Sequence, residues 1–259
     1  MKKILVLVLV CVLSLQAFAQ DKGTLEIETG VDTVFVTGMY DGDGEFDEIP
    51  SDISYTAVSI PISVFYEIIT GLQLGVKAQF LYFSEDWLDA SGIGQPAVGV
   101  KYTSDFGLGA FLDVYLPFGS EDIVGTEPEI FFDIAVFYDG KFDSFLLYGE
   151  LIYEFTLEGD DELKQDSILL TLQPGYQIMD SLAVTLTAAL QMQFDVIFDG
   201  ESVDDTNGYL FSLAPGAVYQ PMDMLELSLE VPITLFGKSQ SVANYAYWGI
   251  NFNAKFNLL

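Results

Sequence analysis

From Leu182 to Val196 every second residue of the chain is apolar: Leu182, Val184, Leu186, Ala188, Leu190, Met192, Phe194 and Val196. Between them stand Ala183, Thr185, Thr187, Ala189, Gln191, Gln193 and Asp195. Side chains on a strand point alternately to its two faces, so this segment predicts a strand with one oily face and one small, polar face. The pattern recurs at Leu72–Phe80, Leu225–Leu235 and Trp248–Phe256. Twelve such segments run along the chain, at 24–40, 53–67, 71–83, 95–103, 107–118, 129–138, 142–157, 167–178, 181–197, 209–219, 224–236 and 244–257. Most exceed the strands of soluble proteins, usually about five or six residues. They reach the roughly 9–11 residues that a tilted strand needs to cross the hydrocarbon layer.

The links between segments alternate as well. Short links fall at Ile68–Thr70, around Asp105, at Asp139–Lys141, at Met179–Asp180 and at Gln220–Asp223. Longer loops fall at 41–52, 84–94, 118–128, 158–166, 198–208 and 237–243. A membrane barrel with short periplasmic turns and longer outer loops has this rhythm. The expectation is an all-β fold: a transmembrane, antiparallel, up-and-down β-barrel of about twelve strands. Both termini are then periplasmic, and residues 20–259 form a single domain. A lipocalin-like barrel or a sandwich would also alternate, but with shorter and fewer strands. Aromatic residues recur near segment ends, among them Tyr40, Tyr66, Tyr82, Trp87, Tyr138, Tyr153 and Trp248, as an interfacial girdle does.

The first residues fit the same destination. Met1-Lys2-Lys3, an apolar run from Ile4 to Leu13, and Ala17-Phe18-Ala19 read as a signal peptide over residues 1–19. Acylation at Cys11 is the lipoprotein alternative, with a poorer cleavage site. Beyond residue 19 no apolar run approaches the roughly 18 residues of a membrane helix, which leaves the closed barrel as the route through a bilayer. The segment from Gln20 holds seven lysines, no arginine or histidine, and 39 acids, a net charge of −32. Such a surface repels nucleic acid and disfavours an anion-selective pore. The six long loops hold 21 of the acids.

The absence of histidine removes serine–histidine hydrolysis and the commonest transition-metal ligand. Glu226 and Glu230, or Glu150 and Glu154, lie four residues apart on one strand, about 13 Å, too far to act as a pair. No enzyme activity is expected, and no cofactor beyond weakly held calcium. Asp41, Asp43, Glu45 and Asp47 alternate with glycine and other residues as in a calcium loop, without its twelve-position spacing. A solvated loop, bridged weakly to lipid head groups and lipopolysaccharide by divalent ions, is the plainer reading. The polar faces place Lys77, Lys101, Lys255, Asp113, Asp133, Glu150, Glu154, Asp195, Glu226 and Glu230 in the lumen, together with Glu67. Charges there must pair or stay wet. The lysines are expected as pairing centres that plug the lumen or set its selectivity.

Several short segments resemble a known family. They are Gly94-Gln95-Pro96-Ala97-Val98-Gly99-Val100-Lys101-Tyr102, Leu116-Pro117-Phe118-Gly119, Leu172-Gln173-Pro174-Gly175-Tyr176, Leu213-Ala214-Pro215-Gly216-Ala217-Val218-Tyr219-Gln220-Pro221 and Val231–Gly237. Together they resemble the transporter family named for the MetA pathway of phenol degradation, over roughly residues 53–256. The resemblance implies an outer-membrane barrel of a Gram-negative bacterium, acting as a channel for small hydrophobic or aromatic compounds, with no catalytic set. The end of the chain departs from general barrel habit, since Phe256 is followed by Asn257-Leu258-Leu259 instead of closing the sequence. Three functions stand open. The first is passive passage of small neutral, hydrophobic or weakly cationic solutes. The second is a closed structural or surface-interaction barrel with acidic, ion-binding loops. The third is uptake of hydrophobic compounds through a lateral opening at strand prolines such as Pro61, Pro96, Pro117, Pro174, Pro215 and Pro232.

Overall fold

The computed structural model describes residues 23–49, 55–85, 88–125, 128–156, 165–198, 201–203, 206–239 and 244–258. The expected signal peptide, Trp87 and most of the 158–166 loop lie outside the described residues.

The chain forms β1 (Leu25–Tyr40), β2 (Phe46–Glu48), β3 (Tyr55–Ile69), β4 (Leu72–Glu85), β5 (Leu88–Ile93), β6 (Ala97–Thr103) and β7 (Leu108–Tyr115). One helical turn, α1 (Glu121–Val124), follows. Then come β8 (Phe131–Phe142), β9 (Phe145–Thr156), β10 (Ser167–Met179), β11 (Leu182–Gln193), β12 (Ile197–Phe198) and β13 (Glu201–Ser202). The last elements are β14 (Gly208–Met222), β15 (Leu225–Glu230), β16 (Ile233–Ser239) and β17 (Asn244–Leu258). All pairings are antiparallel, the wall strands follow one another in chain order, and β17 returns to pair with β1 from Leu25↔Leu258 to Tyr40↔Asn244. The wall is a closed barrel of twelve strands. β5 with β6 makes one of them and β15 with β16 another, β2 pairs with the end of β1 beyond β3, and the β12–β13 hairpin forms a separate sheet.

Closure pairs neighbouring strands around the wall except where β16 runs beside β17 beyond Ile233↔Trp248, so most of the backbone satisfies itself without water. The side chains invert the arrangement of a soluble protein. Leu186, Leu229 and Phe252 point outward and are 44%, 47% and 44% exposed. The buried apolar side chains are mainly alanines, and the largest fully buried side chain among the described residues is Asp113. A continuous exposed apolar band of this kind marks contact with lipid. Stacked pairs such as Phe35–Trp248 and Phe211–Phe236 stand toward the loop end of that band. Among the described residues no helix is long and apolar enough to cross a membrane.

Two expectations are corrected. The stretch 84–94 is not a long loop: β4 runs to Glu85 and β5 starts at Leu88, paired from Glu85↔Leu88 to Phe80↔Ile93. Leu88-Asp89-Ala90-Ser91-Gly92-Ile93 mixes small and polar residues on both faces, which hides its period of two. Strand regularity stops instead at Gly94-Gln95-Pro96, and the edge of β5 is covered by the segment around α1, where Ser120 N donates to Ile93 O and Ile93 N to Ser120 Oγ. The stretch 118–128 therefore carries a helical turn where a plain loop is expected.

Several prolines break the ladder locally, as a residue without an N–H must. Pairing skips from Thr29↔Ile62 to Asp32↔Ser59 beside Pro61, and from Leu172↔Ala188 to Gly175↔Thr185 beside Pro174. Val231 and Pro232 separate β15 from β16. Pro215 behaves alike: the ladder on one side skips from Leu213↔Ile233 to Gly216↔Glu230, while on the other it stays paired with Leu186, as Pro61 does with Gln79 and Pro174 with Leu147.

Candidate lumen site

The polar positions of each strand share the inner face, and large side chains there need room. Glycine supplies it across the ladder. Phe65 stands opposite Gly75, Asp113 opposite Gly99, Phe137 opposite Gly109 and Glu230 opposite Gly216. A Cβ on Gly75 or Gly109 would lie 2.4 or 2.2 Å from the facing ring. A Cβ on Gly99 would lie 2.0 Å from Asp113 Oδ1. Each bulky inner side chain thus lies flat over a neighbouring strand and leaves space along the axis.

The three inner lysines are all paired. Lys77 Nζ donates to Asp113 Oδ2 at 2.5 Å, and it stands 4.9 Å from the Phe111 ring centre and 5.9 Å from that of Phe65. Lys255 and Lys101 share one carboxylate, Glu26, at 2.9 and 3.6 Å. Lys101 Nζ also lies 5.6 Å from the Phe137 ring centre. Lys101 is on β6 and Glu26 on β1, with β3 and β4 between them, so this contact spans the lumen as a chord.

The remaining acids are distributed around the wall. Asp113, Asp133 and Glu154 stand in one register row across β7, β8 and β9. Glu150 accepts a hydrogen bond from Tyr148 Oη at 2.7 Å. Glu230 Oε1 accepts from Gln173 Nε2 at 2.7 Å and Thr187 Oγ1 at 2.6 Å. Glu226 faces Lys255 across the β15–β17 ladder. Asp195 lies beyond the end of β11, where its Oδ1 accepts from Thr206 N, Asn207 N and Asn207 Nδ2 at 3.1, 2.9 and 2.8 Å and pins the outer loop. Glu67 accepts from Gly71 N at 2.8 Å and closes the β3–β4 turn. In the acidic loop after β1, Asp41 Oδ1 accepts from Asp43 N and Glu45 N at 2.9 and 2.8 Å, while Asp43, Glu45 and Asp47 are exposed. Among the described residues no three acidic side chains converge to hold a metal ion.

Sequence reasoning misses Glu26, Glu28, Asp32 and Asp139 as lumen groups. The signal was available, since the three in β1 alternate with Leu25, Ile27, Thr29, Val31 and Thr33.

Among the described residues a chain of cavities runs along this interior. The one at the turn end, 260 Å³, is lined by Thr24, Glu67, Gly71 and Thr103. It shares Glu26, Lys101, Phe137, Asp139 and Lys255 with a middle cavity of 350 Å³. Glu28, Ser63 and Lys77 join the middle cavity to a third of 300 Å³. Gln95 joins the third to the outermost, 220 Å³, which reaches Glu129, Thr156 and Gln165. Gln95 Nε2 donates to Leu116 O and Glu129 O at 3.2 and 2.6 Å, which fixes it at that junction. The arrangement is a continuous track with an acidic wall.

Comparison with known proteins agrees with this geometry. A family model described as the MetA-pathway of phenol degradation matches residues 16–252. The fold is similar to the crystal structure of an outer-membrane channel from Pseudomonas putida F1, with 14% identity, a TM-score of 0.72, and coverage of 91% of this chain and 95% of that one. It is similar to the β-domain of the Bordetella autotransporter BrkA (12% identity, TM-score 0.56, 92% and 100% covered). It is also similar to the monoaromatic hydrocarbon channel CymD (9% identity, TM-score 0.51, 95% and 92% covered). None of the curated proteins compared with the chain matches it in sequence.

Proposed function

The chain belongs to the MetA-pathway of phenol degradation family, and from that premise we propose that it passes small neutral, hydrophobic or weakly cationic solutes passively across the outer membrane. It is an outer-membrane channel of a Gram-negative bacterium and not an enzyme. The observation that carries the solute preference is the charge of the track. All three inner lysines are engaged with Asp113 and Glu26, whereas Glu28, Asp139 and Glu150 line the same space with no lysine partner among the described residues. One uncompensated carboxylate at roughly 8 Å, in an effective dielectric near 40, is worth about 1 kcal/mol to a passing cation, a roughly fivefold preference. Purified barrel in planar bilayers under a potassium chloride gradient should therefore show a reversal potential on the cation side. An anion-side potential, or silence over a range of voltages and calcium levels, would end this reading.

A lateral route for hydrophobic compounds is favoured by one seam. Although β16 extends to Ser239, it meets β17 through the single register pair Ile233↔Trp248. Beyond Pro232 side chains take over: Tyr247 N donates to Thr234 Oγ1 at 3.3 Å and Tyr40 Oη to Leu235 O at 3.0 Å. In a Leu235→Cys/Ala246→Cys variant, closing the seam with a short thiol cross-linker should abolish uptake of a hydrophobic probe without changing ion conductance. Uptake that survives cross-linking removes the lateral route.

A further inference from the structure

We infer that the middle cavity of the lumen is a binding station for small primary ammonium ions carrying an aromatic ring, because it sets unpaired carboxylates against a wall of phenyl rings. The inference rests on the channel reading and names a solute class for it.

The interior of a membrane barrel is normally polar. This 350 Å³ chamber is walled by Phe65, Phe111, Phe137, Tyr148 and Ile152 as well as by charges. Its volume falls in the range of small-molecule sites, roughly 300–1,000 Å³. The rings are built in: Phe65 and Phe137 are 5% and 6% exposed and are bedded on Gly75 and Gly109. Glycine at those rungs is what lets two large apolar side chains lie along the wall of a hydrated passage.

Charge selects the partner. Glu26, Glu28, Asp139 and Glu150 line the chamber with Lys77, Lys101 and Lys255, and Asp113 holds Lys77 from behind. Five carboxylates against three ammonium groups leave a charge of −2. The lysines use Glu26 and Asp113, so Glu28, Asp139 and Glu150 remain without an ion pair among the described residues. An anion meets that surplus as repulsion, and a neutral aromatic leaves it uncompensated.

The chain already displays the recognition mode. The Lys77 ammonium has a carboxylate on one side at 2.5 Å and the Phe111 ring on the other at 4.9 Å. Lys101 repeats it with Glu26 and Phe137. A cation over a ring with a carboxylate behind it is favourable where water is partly excluded. An arylalkyl ammonium would place its nitrogen at Glu28 or Glu150 and its ring against the phenyl wall.

The test uses the mature barrel in planar bilayers with 2-phenylethylammonium as probe. 2-Phenylethanol, which lacks the charge, and ethylammonium, which lacks the ring, are the comparators. Half-block of the potassium current should need roughly tenfold less probe than either comparator, as loss of one charge or ring contact implies. Glu28→Gln/Glu150→Gln should weaken the block by a similar factor, and Phe111→Leu should weaken it without touching a charge. Equal potency of the three compounds, or a block indifferent to both variants, overturns the proposal. A barrel that conducts nothing defeats the channel reading, and equilibrium dialysis of the probe against detergent-solubilised barrel then decides the station separately. Saturable binding lost in the double variant upholds it, and absence of binding refutes it.

Discussion

Lys77→Met is expected to lower the unfolding free energy of the barrel by about 3–5 kcal/mol, the cost of stripping one partner from a buried ion pair. The asymmetry of the pair sets the size. Asp113 has no exposed surface, whereas the Lys77 side chain is 33% exposed. Removing the lysine strands a carboxylate that water cannot reach. Its Oδ1 already lacks a hydrogen-bond partner, and Asp133 stands directly across the ladder as a second carboxylate. Removing the acid instead leaves an ammonium that can hydrate through the third cavity, so Asp113→Asn should cost clearly less. Lys77→Met/Asp113→Leu should recover most of the loss, because two apolar groups of similar size can replace a buried pair at little cost. Urea midpoints of refolding in detergent, followed by heat-modifiable gel mobility, give the three values. A Lys77→Met barrel as stable as the parent would show that Asp113 is solvated in the membrane and that the pair does not brace the wall.

Glu26→Gln is expected to reduce cation preference by roughly five- to tenfold, about 1–1.4 kcal/mol of barrier. Glu26 is 9% exposed and binds two lysines, so the trio carries a charge of +1 that becomes +2 on substitution. It stands where the turn-end and middle cavities share their lining, and a solute crossing between them passes all three groups. Lys101→Gln should move the reversal potential the other way. The measurement is the shift of reversal potential in a potassium chloride gradient. An unmoved potential would mean that the ion path bypasses the trio.

The wall was readable because its determinants are local. Alternation fixes which face a residue takes, and link length fixes which end it is near, so twelve strands and their order follow from neighbours in the chain. Leu88–Ile93 escaped because small residues serve either face equally well. The charge partners were less legible for a different reason. Lys101 and Glu26 sit three strands apart, and whether they touch depends on the barrel's diameter and stagger, which no local pattern encodes. Asp195 obeys the alternation yet leaves the barrel, because the strand ends at Gln193 and three donors from Thr206 and Asn207 take its carboxylate. Glu26 itself was legible and passed over: its strand carries an acid at positions 26, 28 and 32 on the face opposite Ile27 and Val31.

The rungs that set a glycine against a bulky neighbour make the bore adjustable independently of the frame. Perimeter is dictated by the count of strands and by main-chain bonding, while calibre at any height depends on which member of a rung is large. Exchanging the two members, or shrinking one, reshapes the passage without disturbing its circumference. Lineages built on this plan can therefore diverge freely along the inside and still superimpose, as expected of a fold shared at 14% identity.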